Sequence, residues 1–475
     1  MKRLIVVSNR VAPITEGKPA AGGLAVGVYE ALRQRGGVWF GWSGEIAAET
    51  PREPAVERRG NIEYATLGLN RRDYDQYYRG FSNATLWPAF HYRTDLSRYD
   101  RREYEGYLRV NAWLAGRLKA IVRPDDLIWV HDYHLLPFAR ACRACGMENR
   151  IGFFLHIPFP APMVMMTVPP HAELVEAMCD YDLVGFQTET DRQAFADYLV
   201  RQAGGAEAAA GRVLAHGRMV QTGVYPIGVY PDEIREQAGA RANQRHVLNL
   251  KQGLQDRRLI MSVDRLDYSK GLIERFRGFE TLLEIAPRHQ RQVSFIQVAP
   301  PSRSDVLTYQ QIRARLEAEA GRINGRFSDL DWTPLRYINK RYDRNVLMSL
   351  FRASQVGYVT PLRDGMNLVA KEYVAAQPPE DPGVLVLSCF AGAAQDLPGA
   401  LIVNPYDARG MAEALDRALT MDRRERQDRY QDMMASLRAN DLSHWRDRFL
   451  ADLVAGRPAD AIHLPVRPIS PPLRP

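Results

Sequence analysis

The sequence predicts an α/β protein of two doubly wound domains facing a central cleft, on three observations. Strand-like and helix-like segments alternate along the first half of the chain. The alternation stops in a polar stretch, Asp232–Asp256, and then restarts. Alternation of this kind implies parallel sheets flanked by helices, and a polar hinge between two such runs implies a site in the cleft. A chain of 475 residues that is 46% hydrophobic can fill two cores of ordinary size. The first domain is placed at residues 1–235, the second at 236–455, and a Pro-rich, disordered tail at 456–475.

Short apolar runs read as strands at Arg3–Ser8, Val38–Trp42, Ile62–Leu67, Leu127–His131, Ile151–His156 and Leu183–Gln187. Helical patterns fall between them near Leu24–Arg35, Arg71–Asn83, Arg101–Val122, Leu135–Cys145, Ala172–Met178 and Asp191–Gln202. After the polar stretch, strands at Leu259–Val263, Val293–Val298, Leu335–Ile338, Val356–Thr360 and Val384–Ser388 alternate with helices at Leu272–Ile285, Val306–Ile323, Arg344–Ala353 and Leu368–Gln377. Helical segments from Ala408 to Ala455 close the second domain, and the prolines beyond Leu464 cannot continue a helix.

Composition excludes several function classes. No run of eighteen apolar residues exists, and Met1-Lys2-Arg3 leads straight into a strand, so neither a signal peptide nor a membrane span is expected. Four scattered cysteines suit a reducing cytoplasm. Cys142-x-x-Cys145 lacks a second half and lies on a helical pattern, so it reads as structural rather than metal-binding. The formal charge of +7 contains no run of five like charges, which argues against nucleic acid and suits small anionic substrates.

The chemistry-bearing residues gather at the carboxyl ends of strands, where open α/β sheets bind ligands. The first strand ends in Asn9-Arg10, followed by a loop to Ala21-Gly22-Gly23-Leu24 whose spacing is not a dinucleotide fingerprint. Arg10 can hold a phosphate bidentately, and a glycine pair at a helix start lets a ligand approach the backbone. Tyr77-Tyr78 through Trp87-Pro88 is an aromatic run suited either to core or to sugar stacking. Asp132, in His131-Asp132-Tyr133-His134, reads as an acceptor for sugar hydroxyls. Prolines after His156 hold that histidine and its carbonyl toward the cleft. Arg265 and Lys270, a turn apart ahead of Gly271, can flank a pyrophosphate. Arg303 is another strand-end cation. In Arg363-Asp364-Gly365-Met366-Asn367-Leu368-Val369-Ala370-Lys371-Glu372, a carboxylate and free amides open a helix and a second carboxylate follows two turns later.

Seven motifs, collinear from about residue 1 to 450, resemble the trehalose-6-phosphate synthase family. They are Ser8-Asn9-Arg10, Ala21-Gly22-Gly23-Leu24, Phe81-Ser82-Asn83-Ala84-x-Leu86-Trp87-Pro88, His131-Asp132-Tyr133-His134-Leu135-Leu136, Leu155-His156-Ile157-Pro158-Phe159-Pro160, Arg265 through Gly271, and Asp364 through Glu372. The resemblance implies a retaining glycosyltransferase of GT-B architecture with two Rossmann-like domains. It would move glucose from UDP-glucose to glucose 6-phosphate without a metal or other cofactor, as a homotetramer or dimer. Carried over by position, Arg10, Tyr78, Asp132 and Arg303 would bind the acceptor, and Trp87 and Ile157 match positions linked to anomer selectivity. Gly22, Gly23, Arg265 and Lys270 would meet the donor phosphates. Asp364 with the amides of Gly365, Met366, Asn367, Leu368 and Val369 would hold the glucose, Glu372 the ribose and Tyr342 the base. Arg265, Lys270, His156 and Asp364 would carry catalysis.

Two positions depart from the family pattern: Tyr342 stands where phenylalanine is expected, and Asp264 where glutamate is usual. The phosphatase signature Asp-x-Asp-Gly-Thr is missing, so a synthase alone is expected. Two rivals stay open, a GT-B enzyme with another acceptor and a silent regulatory subunit; a silent subunit would be expected to lose the donor-site charges present here. Base preference among UDP, ADP and GDP also stays open.

Overall fold

The computed structural model describes residues 2–11, 23–49, 51–208, 211–240, 244–255, 257–302 and 307–455. Ten strands make the first sheet: β1 (Leu4–Arg10), β2 (Gly37–Ala47), β3 (Ala55–Arg59), β4 (Ile62–Asn70), β5 (Leu127–His131), β6 (Arg150–Phe154), β7 (Leu183–Phe186), β8 (Ala206–Ala208), β9 (Arg212–Ala215) and β10 (Arg218–Val224). Their order is β3-β4-β2-β1-β5-β6-β7-β10-β9-β8. The run from β4 to β10 pairs in parallel, and β3, β9 and β8 add antiparallel edges. Six strands make the second sheet: β11 (Arg258–Val263), β12 (Val293–Val298), β13 (Leu335–Ile338), β14 (Val356–Val359), β15 (Val384–Ser388) and β16 (Leu401–Val403). All are parallel, in the order β13-β12-β11-β14-β15-β16.

Both sheets have helices on their faces, so their central strands are near-continuous apolar runs. Leu4 to Val7 are fully buried, as are all five residues of β15. In each sheet the chain builds outward from a central strand, then returns and builds outward the other way. The reversal lies between β1 and β5 in the first sheet and between β11 and β14 in the second. Loops leaving the two strands at a reversal turn to opposite faces and leave a crevice at the carboxyl edge. Those crevices hold the candidate site.

Several local expectations change. The polar stretch Asp232–Asp256 is not an open hinge: it holds the helices Pro231–Gly239 and Gln244–Leu254. Pro231 opens the first of these with Asp232 and Glu233 in its first turn, while Ile234 and Ala238 face the core. One wet face made the segment read as a linker. The helix starting at Arg71 runs on to Phe90, with Tyr74–Leu86 in the wider π geometry, where the Trp87 N–H reaches the Ser82 carbonyl. Pro137 delays the helix expected from Leu135, which becomes a short turn at Tyr133–Leu135 followed by Phe138–Ala144. Strands β3, β8, β9, β10 and β16 carried too little apolar pattern to read; β3 is mostly exposed.

The last helix, Leu442–Ala455, returns to the first sheet although the sequence grouped it with the second domain. Trp129 of β5 lies 4.8 Å from both Trp445 and Phe449, ring centroid to centroid. Gly152 of β6 permits the approach, because an added Cβ would come 2.8 Å from the Phe449 ring.

Candidate active site

At the reversal of the second sheet, β11 runs into the loop 264–271 and β14 into the loop 360–367. The two loops are stitched together. The Leu362 N–H donates to the Ser269 carbonyl at 2.8 Å. Gly271 has φ +63 and packs on Thr360, whose carbonyl oxygen would lie 2.4 Å from an added Cβ, so glycine is the residue that fits. This packing brings the Lys270 ammonium onto the Asp364 carboxylate. Asn367 Nδ2 donates to the same carboxylate at 3.0 Å.

Asn367 also starts the helix Leu368–Ala376. It sits at φ +75, and its side-chain oxygen accepts from the Ala370 N–H at 3.2 Å. The N–H groups of Leu368 and Val369 open the helix, where no intrahelical carbonyl reaches them. Met366 is buried, and its carbonyl accepts from the Ala393 N–H at 2.8 Å, which pins the turn. Glu372 is held by Arg344 at 2.8 Å and lies just over one turn into the helix, not two as expected, because the helix starts at Leu368 rather than at Asp364. Tyr342 precedes that arginine and is 40% exposed.

The first sheet contributes the facing wall. Arg10 ends β1, exposed, with its guanidinium over Gly44. Asp132 leaves β5 at φ +76, its N–H donating to the Phe154 carbonyl at 2.9 Å and its Oδ1 accepting from the His156 N–H at 3.3 Å. Burial pushes the Asp132 carboxyl up to about 6. His156 Nε2 lies 3.0 Å from His131 Nδ1. Burial pushes the His156 ring down to about 3, so it is neutral near pH 7. Tyr78 stacks on His134 at 5.7 Å and 11°. Its neighbour Tyr77 is fully buried and donates to Asn9 Oδ1 at 2.9 Å. Of the aromatic pair, Tyr77 is core and Tyr78 is half-buried at its margin.

The two walls meet. An added Cβ on Gly365 would lie 2.0 Å from the His156 carbonyl oxygen and 3.0 Å from the Ile157 Cα. The Arg265 guanidinium sits 5.7 Å from the Trp87 ring centroid, and Trp87 Nε1 donates to Asp267 Oδ1 at 3.4 Å. The fold therefore brings Arg265, Lys270, Asp364, Gly365, His156, Ile157, Trp87 and Asp132 around one crevice. Gly23 begins the helix Gly23–Arg35. Gly22 and Arg303, both expected in the site, lie outside the described residues, as does the tail 456–475.

The family model of Glycosyltransferase family 20 matches residues 3–455. The chain belongs to this family. It is similar to the crystal structure of an α,α-trehalose-phosphate synthase (UDP-forming) from Burkholderia vietnamiensis, with 65% identity, TM-score 0.94, and coverage of 96% of this chain and 97% of that one. A second such synthase, from Burkholderia xenovorans in complex with glucose-6-phosphate, is 63% identical at TM-score 0.92, covering 95% of this chain and all of that one. A third, from E. coli bound with UDP-2-fluoro glucose, is 53% identical at TM-score 0.92, covering 96% of this chain and all of that one. The fold is accordingly the two-domain GT-B arrangement.

In this family 20 glycosyltransferase, sequence reading missed three residues around the crevice. Arg363 joins the halves: its Nη2 donates to the Phe159 carbonyl at 3.0 Å, and its guanidinium lies 3.9 Å from the Tyr92 ring centroid. Asp267 accepts from Trp87, from the Ser269 N–H at 3.0 Å and from the Tyr309 hydroxyl at 2.8 Å. Arg275 lies wholly buried beneath both loops. Only Arg275 left a signal, since it shares the helix face of buried Leu272, Phe276 and Phe279. Asp264 pairs with that arginine at 2.8 Å, so the shorter acid keeps the partner its position needs. Among the described residues no group of three or more His, Cys, Asp or Glu could hold a metal ion, and no helix is long and apolar enough to cross a membrane.

Proposed function

We propose that the chain moves glucose from UDP-glucose to glucose 6-phosphate, giving α,α-trehalose 6-phosphate and UDP with retention at the anomeric carbon. The observation that carries this reading is the Lys270–Asp364 pair at the second-sheet reversal, set opposite His156 and Trp87 with Arg265 between. Arg265 and Lys270 stabilise the charge that grows on the departing diphosphate. Asp364 and the amides from Gly365 to Val369 hold the glucose hydroxyls, Glu372 the ribose, and Tyr342 borders the base. Arg10, Tyr78, Asp132 and Arg303 hold glucose 6-phosphate, with both arginines on its phosphate. Gly22 and Gly23 approach the donor phosphates, and Trp87 and Ile157 set the anomer.

The acceptor hydroxyl attacks C1 from the face that UDP leaves. The new C1–O bond forms as the bond to the β-phosphate oxygen breaks, and that oxygen takes the hydroxyl proton. A double displacement would need a carboxylate against the β-face of the sugar, and Asp132 and Asp364 are better used on hydroxyls. A neutral His156 has no proton to give as an imidazolium, which fits a role in positioning. The chemistry needs no metal. The enzyme acts in the cytoplasm as a homo-oligomer, a tetramer or dimer, which sedimentation would measure.

A donor-by-acceptor panel tests the reading. UDP release is expected with UDP-glucose plus glucose 6-phosphate, and not with glycerol 3-phosphate or glycogen. A covalent glucosyl-enzyme trapped on either aspartate would overturn the single-displacement step.

A further inference from the structure

Arg275 is an arginine with no exposure to solvent, a costly placement unless its charge is paired and its nitrogens are bonded. All three nitrogens donate. The two N–H groups of its Nη1 are shared among Ser262 Oγ at 2.6 Å, Asp264 Oδ2 at 2.8 Å and Gln297 Oε1 at 2.9 Å. Its Nε donates to Thr360 Oγ1 at 3.1 Å, and its Nη2 to the Lys270 carbonyl at 3.1 Å. These partners come from the ends of β11, β12 and β14, three neighbours in the sheet, and from the residue whose ammonium meets Asp364. A core arginine needs only one acid to be neutralised, and Asp264 is that acid. The remaining four bonds all go to the loops and strand ends under the crevice. We infer that Arg275 is a positioning residue for glucosyl transfer: its planar fork fixes the Lys270 backbone and the two loops, and so holds the Lys270–Asp364 pair where the donor needs it.

This inference rests on the donor reading of Lys270 and Asp364. Arg275→Lys keeps the charge but replaces the fork by a point donor. It is expected to lower kcat about a hundredfold, the cost of a misplacement near 1 Å, with KM for glucose 6-phosphate within about twofold of the parent. Thr360→Val removes one bond of the fork and should lower kcat severalfold in a folded protein. In a cycle with Lys270→Ala, the double variant should lose clearly less than the product of the two single losses, because much of the arginine's effect passes through that lysine. Parental kcat in Arg275→Lys with only a lower Tm overturns the inference, as does a double variant whose losses multiply. If Arg275→Lys does not fold, Thr360→Val decides, and parental kcat there overturns it. Parental kcat in Lys270→Ala would instead overturn the donor reading, and this inference with it.

Discussion

At Gly365 the two domains pack backbone against backbone, and its missing side chain is the reason they can. An alanine Cβ there would sit 2.0 Å from the His156 carbonyl oxygen, a backbone atom that cannot swing aside as a side chain could. Gly365→Ala is therefore expected to push the Asp364 loop away from His156 and lower kcat on the order of a hundredfold, read by steady-state kinetics. Arg265→Ala and Lys270→Ala should each lower kcat by about 10²–10³, the loss typical for one charge-stabilising donor, with a smaller rise in KM for glucose 6-phosphate. Asp132 gives a pH signature. Its folded-state value, about 6, lies above that of a free aspartate because burial favours the protonated form. Between the two values the folded chain keeps a proton that the unfolded chain has lost. This group therefore lowers stability as pH rises toward about 6, and its full cost is present above that. For binding the sign is opposite, since the carboxylate accepts hydroxyl hydrogens better when ionised. As pH falls through about 6, wild-type kcat/KM for glucose 6-phosphate should drop relative to Asp132→Asn, a ratio that cancels titration of the substrate phosphate.

Most helices and central strands followed from local pattern; short polar strands and partner choice did not. Strands Leu127–His131, Val293–Val298 and Val384–Ser388, and helices Leu272–Ile285 and Arg344–Ala353, lie where apolar periodicity put them, because both faces of these strands are covered. The last helix was readable as a helix but not as a part of the first domain. Its docking depends on Gly152 and Trp129, about three hundred residues upstream, and no local pattern encodes such a contact. Phe449→Ala should cost about 3–5 kcal/mol, as large aromatic truncations in cores do. A fall in Tm by calorimetry, with kcat of the folded fraction little changed, is the expected outcome. Parental Tm would mean the helix is not packed on β6.

Across the molecule, two sheets of one design face each other with their reversals aligned on one crevice. Lys371 ties them behind that crevice: fully buried, it donates to the Ile227 carbonyl of the first half at 2.8 Å and to Asp396 of the second at 2.6 Å. On the proposed assignment each substrate draws on both halves, glucose 6-phosphate through Arg10 and Arg303 and the donor through Gly23 and Arg265, so binding both should oppose separation of the halves. UDP and glucose 6-phosphate together are expected to raise Tm by more than the sum of their separate effects, measured by scanning calorimetry at fixed concentrations. Additive shifts would show that the halves bind independently.

Strand-helix alternation, strand-end charges and seven ordered motifs were enough to establish the α/β class and the family, because those features are local in the chain. The pairing of Lys270 with Asp364, the contact of Gly365 with His156, the assignment of Tyr77 to core, and the buried fork of Arg275 came from the folded arrangement. Each joins residues far apart in sequence whose spacing carries no period, and packing of two separate sheets is what brings them within reach.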